Sequence, residues 1–182
     1  MSDGTFLVSI SGQIEWLNIL APSGSSWYCK YEFFSGPDWK LIGGLEAGLS
    51  QVANVVTNGE KIVLNFPVEV QFKSTNPYGW PQMILSVYEN THLGGYGRVH
   101  MPLKPGAHTL DVNLSKPMAS SMLGYVASFF GYQPELLQPK MLATTAGNNL
   151  IRMETTGHAR ITVNVVTQEF QNLGYDAGQI RD

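Results

Sequence analysis

An all-β fold, an antiparallel β-sandwich of about eight strands with one short inserted helix, is what this sequence predicts. Two observations carry the prediction: apolar residues recur at every second position in run after run, and Gly, Pro, Asn or Ser separates each run from the next. A third sets the exception, because the segment from Pro117 to Gly131 places its apolar residues three and four apart.

In chain order, Phe6, Val8 and Ile10 define the first strand, closed by Ser11-Gly12. Cys29, Tyr31 and Phe33 define the second, closed by Ser35-Gly36-Pro37-Asp38. The strongest signal lies in Lys61 to Lys73, where Ile62, Leu64, Phe66, Val68, Val70 and Phe72 alternate with residues that are polar or Pro except Val63. One face of that strand belongs to a core and the other does not. Pro67 sits on the non-core face, and its missing N–H predicts an edge or a bulge. After the turn Lys73 to Gln82 a strand resumes over Met83 to Tyr88. Val99, Met101 and Leu103 predict the next strand, ended by Lys104-Pro105-Gly106, and Leu110, Val112 and Leu114 another. Met118, Met122, Val126 and Phe129-Phe130 then read as a short amphipathic helix with Pro117 near its start and Gly131 near its end. That helix either covers an open end of the sandwich or docks on a membrane or partner. Leu150 to Glu154 and the run Ile161, Val163, Val165 complete the count.

At 182 residues the chain is one domain, from residue 5 to 176 with a short tail over 177–182. A domain of this size buries roughly 70% of the surface its unfolded chain exposes, so no staple is needed. Its single cysteine, Cys29, can make no internal bridge, and no apolar run reads as a signal segment or a membrane span, which predicts a cytosolic compartment. The formal net charge is -3 with no cluster of Lys or Arg, which argues against nucleic acid as a partner. Only 14% of residues are charged, below the usual ~25%. Such a surface is either covered by partners or is that of a sandwich rich in Gly, Ser, Thr and Asn.

Residue patterns that carry chemistry are not found. His92, His100 and His108 are eight residues apart, too far for the short ligand spacings of zinc motifs, and His158 stands alone. Cys29 shares a strand face with Tyr31 and Phe33, the place of a small core residue rather than a nucleophile. There is no Gly-x-Ser-x-Gly elbow, and Gly43-Gly44 and Gly94-Gly95-Tyr96-Gly97 lack the surroundings of a phosphate loop. These features predict a non-enzyme with no cofactor and no metal.

The distinctive local feature is the turn itself, Asn76-Pro77-Tyr78-Gly79-Trp80. Pro77 fixes its own φ and holds Asn76 extended, and Gly79 suits the fourth position of a type I turn. Tyr78 and Trp80 flank it as aromatics with polar tips, the kind enriched at interfaces. The two rings either close the end of the sandwich or form a partner-binding tip, and Asn76, Pro77, Tyr78, Gly79 and Trp80 are the candidate partner-binding residues.

Several blocks, in order along nearly the whole chain, resemble the B9-domain family: Tyr28 to Tyr31, Gly44 to Gln51, Lys73 to Gln82, Gly95 to His100, the segment with Phe129-Phe130, Asn164 to Thr167 and Leu173 to Asp176. The resemblance implies a C2-like β-sandwich that serves as a structural subunit of the ciliary transition zone. It implies as partners two other B9-domain proteins, including the Meckel syndrome type 1 protein, and tectonic-type membrane proteins. The implied place is the cilium base, at the transition zone and basal body, among cytoplasmic and cytoskeletal components. The implied role is support of cilium formation and of a gate for membrane-protein entry. Many C2 domains bind membranes through Ca²⁺, which needs clustered carboxylates. Here the five aspartates are scattered, and Asn76 stands where a calcium-binding loop would carry Asp. A Ca²⁺-independent lipid-binding module is the alternative function, with Lys73, Arg98 and Arg160 as the candidate lipid-binding residues, although three separated cations fall short of the usual cluster.

Overall fold

A computed structural model of the chain describes residues 4–118, 139 and 152–175. One layer contains the long strands β1 (Phe6–Ile19), β6 (Ile62–Ser74), β9 (Gly106–Pro117) and β10 (Met153–Gln168), with the short β3 (Lys40–Gly44) at its edge. The other contains β2 (Ser26–Phe34), β7 (Gln82–Glu89) and β8 (His92–His100), edged by the short β4 (Ala47–Leu49) and β5 (Ala53–Asn54), both on β2. Every pairing is antiparallel, and the layers are parts of one curled sheet in the order β3-β6-β1-β10-β9-β8-β7-β2-β4. At the β8–β9 seam, among the described residues, only Tyr96 with Ser115 and Gly97 with Leu114 are in register. At the opposite side the chain itself spans the gap. Leu45 N–H donates to the Glu69 carbonyl of β6 at 3.0 Å, and the next residue, Glu46, accepts from Phe33 N–H of β2 at 2.8 Å.

The period-two pattern explains why these residues face one another. Phe6, Val8, Ile10 and Ile14 of β1, Leu64, Val68, Val70 and Phe72 of β6, and Ile161, Val163 and Val165 of β10 are buried against Cys29, Tyr31 and Phe33 of β2 and Met83, Leu85 and Val87 of β7. Each such side chain contributes about 1.5–3 kcal/mol on burial. β7 departs from simple alternation, since Ile84 and Ser86 on its other face are buried too.

Several boundaries differ from expectation, each for a local reason. Ser11-Gly12 does not end the first strand. Gly12 lies inside β1 because the backbones of β1 and β10 approach so closely that a Cβ there would stand 2.1 Å from the Thr162 carbonyl oxygen. Beyond it the register shifts between Ile14 and Trp16, which turns Trp16 to the outer face. Opposite that shift Asn65 adopts φ 44° and Phe66 is only half-buried. Pro67 fits its reading as an edge or bulge residue: Glu69 presents its carbonyl to Leu45, so Pro67, two residues earlier, faces the same way, past the end of β3.

The expected Val99–Leu103 strand lies further upstream, as β8. Met101 donates its N–H to the Pro81 carbonyl at 3.1 Å after the strand has ended, and Leu103 is exposed. Met153 and Glu154 of the run expected at Leu150–Glu154 belong to the same 16-residue strand as Ile161–Val165, and residues 150 and 151 lie outside the described residues. β3, β4 and β5 have too few residues to show a period. Pro117 is the last residue of β9, opposite Met153. Met118 is exposed and donates its N–H to the Arg152 carbonyl at 2.8 Å, so the first two residues expected in the helix lie alongside β10 instead, and residues 119–131 are outside the described residues.

Candidate interaction tip

The turn between β6 and β7 is built by its polar side chains. Ser74 is buried, and its Oγ has the Asn76 carbonyl at 2.8 Å and the Asp38 carbonyl at 3.2 Å as acceptors for its one proton, while Asn76 N–H donates back to Ser74 Oγ at 3.2 Å. Asn76 Oδ1 accepts from Tyr78 N–H at 2.9 Å, an Asx turn that sets the chain entering Tyr78-Gly79. Gly79 has φ 73°, the left-handed setting that favours glycine.

This tip is locked to a neighbouring loop. Gly36 N–H donates to the Gly79 carbonyl at 2.8 Å, and the Trp39 indole N–H donates to the Tyr78 carbonyl at 2.8 Å. The two flanking aromatics take different positions. Tyr78 is 78% exposed, whereas Trp80 is half-buried and meets Trp39 edge-on at 5.1 Å and Phe170 at 6.0 Å. Phe6 joins them, edge-on to Trp39 at 5.4 Å and to Phe170 at 4.9 Å. Trp80 Nε1 and Gln82 Oε1 are buried without a hydrogen-bond partner among the described residues. Of the five candidates the structure thus presents Tyr78 outward on a turn shaped by Asn76, Pro77 and Gly79, and gives Trp80 a packing role. Sequence reasoning missed Trp39, Gly36 and Phe170. Gly36-Pro37-Asp38 signals only a turn, and no spacing links residue 39 or 170 to residue 80.

The structure does not gather Lys73, Arg98 and Arg160 at one register position. Lys73 lies opposite Leu7 and Lys40, Arg98 opposite Ile84, and Arg160 opposite Trp16 and Asp111. Arg160 donates from Nε to Asp111 Oδ1 at 2.9 Å and from a terminal nitrogen to Oδ2 at 3.2 Å, a bidentate pair that holds the Asp111 carboxyl below its ordinary range. The same guanidinium lies 4.8 Å from the Trp16 ring, with Lys61 Nζ at 4.2 Å. Cys29 is fully buried, and desolvation pushes its thiol up to about 12. Among the described residues no three His, Cys, Asp or Glu side chains come together as metal ligands, and no helix is long and apolar enough to cross a membrane.

A curled antiparallel sandwich with a locked turn at one tip is the architecture of a C2-like domain. The model of the family described as "Ciliary basal body-associated, B9 protein" matches residues 8–166, and the chain belongs to that family, which is not a known enzyme family. It is 42% identical over 180 residues to B9 domain-containing protein 1 of Xenopus laevis, covering 95% of this chain and 90% of the relative. The Homo sapiens protein of the same name is 40% identical over 184 residues, covering 97% and 89%. B9 domain-containing protein 2 of Rattus norvegicus is 27% identical over 174 residues, covering 93% and 98%.

Proposed function

We propose that the chain is a non-catalytic structural subunit of a transition-zone assembly of the Meckel syndrome and tectonic type at the ciliary base. In this reading it binds other B9-domain proteins, the Meckel syndrome type 1 protein among them, together with tectonic-type membrane proteins. It thereby supports cilium formation and the gating of membrane-protein entry. Family membership along nearly the whole chain supports the ciliary setting. The observation that carries the interaction role is the exposed Tyr78 ring on a turn held rigid from both sides, since a pre-ordered aromatic loses little entropy on docking. Asn76, Pro77 and Gly79 shape that contact, and Trp80 braces it from beneath.

Affinity purification of the tagged chain from ciliated cells, with mass spectrometry of what co-purifies, tests the reading. Other B9-domain and tectonic-type proteins are expected, and their loss on Tyr78→Ala would place the contact. Recovery of the chain as a free monomer would overturn it. The competing lipid reading loses support from the engagement of Arg160 with Asp111. Flotation of the chain with phosphoinositide vesicles in the absence of Ca²⁺ would restore it.

A further inference from the structure

We infer that the outer face of β7 and β8 around Ile84 and Tyr96 is a docking surface, and that its occupant is this chain's own segment between Met118 and Arg152. This face is distinct from the tip, and the inference does not depend on any partner bound there. Register fixes which side chains belong to it. Ile84 stands opposite Glu32 and Arg98, and Ser86 opposite Lys30 and Tyr96. Met83, Leu85 and Val87, which alternate with Ile84 and Ser86 along β7, point into the core, so Ile84, Ser86 and Tyr96 point away from it.

These three side chains are nevertheless 1%, 3% and 1% exposed. A side chain on a sheet has neighbours beside it, and it is buried only when something also lies above it. The neighbours beside this patch do not supply that layer: Arg98 is exposed, and Lys30, with its side chain 43% exposed, is drawn to Glu32 at 3.3 Å. Ile84 and Tyr96 also lie outside the core cluster between the layers. The outer face of the other layer gives the contrast, since Val63 of β6 and Val166 of β10 are 56% and 44% exposed there.

Position and composition identify the occupant. Tyr96 pairs across the seam with Ser115, and Met118 is three residues further along, about 10 Å at the rise of a strand. Met118 N–H donates to the Arg152 carbonyl at 2.8 Å, so the intervening segment leaves and rejoins the sheet at one point beside this face. It carries Met122, Val126, Phe129 and Phe130 at spacings of three and four, with Glu135 and Lys140 as its only charged residues. The other stretches outside the described residues, 1–3 and 176–182, bring only Met1 and Ile180 as large apolar side chains. The apolar side chains of the segment thus lie on the sheet, where they are not available to a membrane.

The test uses the full-length chain with a benzophenone amino acid in place of Arg98, opposite Ile84, and in a second sample in place of Val63 on the uncovered face. Irradiation, then mass spectrometry of the digested chain, is expected to join position 98, but not position 63, to peptides from 119–151. In a separate sample Phe129→Ser with Phe130→Ser is expected to lower Tm by about 5 °C or more and to raise the binding of an apolar dye several-fold. Links from position 98 only to residues 176–182, or to a second copy of the chain, overturn the choice of occupant. The inference is overturned as well if position 98 gives no link into 119–151, or if the double variant melts and binds dye as the unaltered chain does.

Discussion

Alanine in place of Gly79 probes the lock between the tip turn and the Gly36 loop. At φ 73° an L-residue sits in the left-handed region, at a cost of about 1–2 kcal/mol. The added Cβ would stand 2.5 Å from Gly36 Cα and 2.8 Å from Gly36 N, both backbone atoms, so one of the two loops must move. Movement stretches the 2.8 Å bond from Gly36 N–H to the Gly79 carbonyl, worth about 0.5–1.5 kcal/mol, and disturbs the Trp39 indole bond to the Tyr78 carbonyl. The expected loss is roughly 2–4 kcal/mol, which lowers Tm by roughly 5–15 °C for a chain of this length. Gly59→Ala is the control, because Gly59 has φ 72° and a Cβ added there would have no atom within 4 Å, so that variant carries the backbone strain alone. Thermal unfolding followed by far-UV circular dichroism compares the two variants, and near-UV spectra report the aromatic cluster around Trp39. Equal Tm shifts for Gly79→Ala and Gly59→Ala, with unchanged near-UV bands, would refute the lock.

Trp80→Ala is expected to destabilise the domain by about 2–4 kcal/mol in urea unfolding because it removes a wall of the cluster with Trp39 and Phe170, whereas Tyr78→Ala should stay within about 0.5 kcal/mol. Leu85→Ala, at the fully buried centre, should cost about 2–5 kcal/mol by the same measurement. Cys29 should resist thiol reagents at pH 8 until denaturant is added. Because its folded pKa is raised, the stability tied to the neutral thiol is complete below the ordinary 9.0 and falls as pH rises from there toward about 12, a loss that Cys29→Ala should abolish in a pH series of melts. Asp111 has a lowered pKa, so its pairing with Arg160 supports the fold above the ordinary 3.8 and is lost as pH falls below it. Asp111→Asn should flatten that acid limb by lowering Tm slightly at pH 7 and leaving it unchanged at the acid end.

The long strands were legible because their side chains report burial directly. Ile62 to Phe72 alternates over more than ten residues, and no competing period fits. β3, β4 and β5 were not, since a strand of two to five residues at an exposed edge has no buried face to impress on its sequence. Gly12 misled because the same residue that ends strands also permits two backbones to approach within one. At the tip, Asn76, Pro77 and Gly79 announced a turn through local chemistry, but the division of labour between Tyr78 and Trp80 depends on Trp39 and Phe170, which only the folded chain brings together.

The central place of β1 bears on how the protein is made. β1 lies between β6 and β10, so the earliest of the described strands gains its second neighbour only when the latest of them has been made. Until then Ile10 and Ile14 have no Ile161 or Val163 beside them, and β9 has a bare flank where β10 will dock. Long-range pairing of this kind folds slowly and leaves an adhesive intermediate. Chains cut before Met153 are therefore not a smaller sandwich but an unfinished one, fit for holding by chaperones and then for degradation, and truncations that remove β10 alone should behave in cells like absence of the domain.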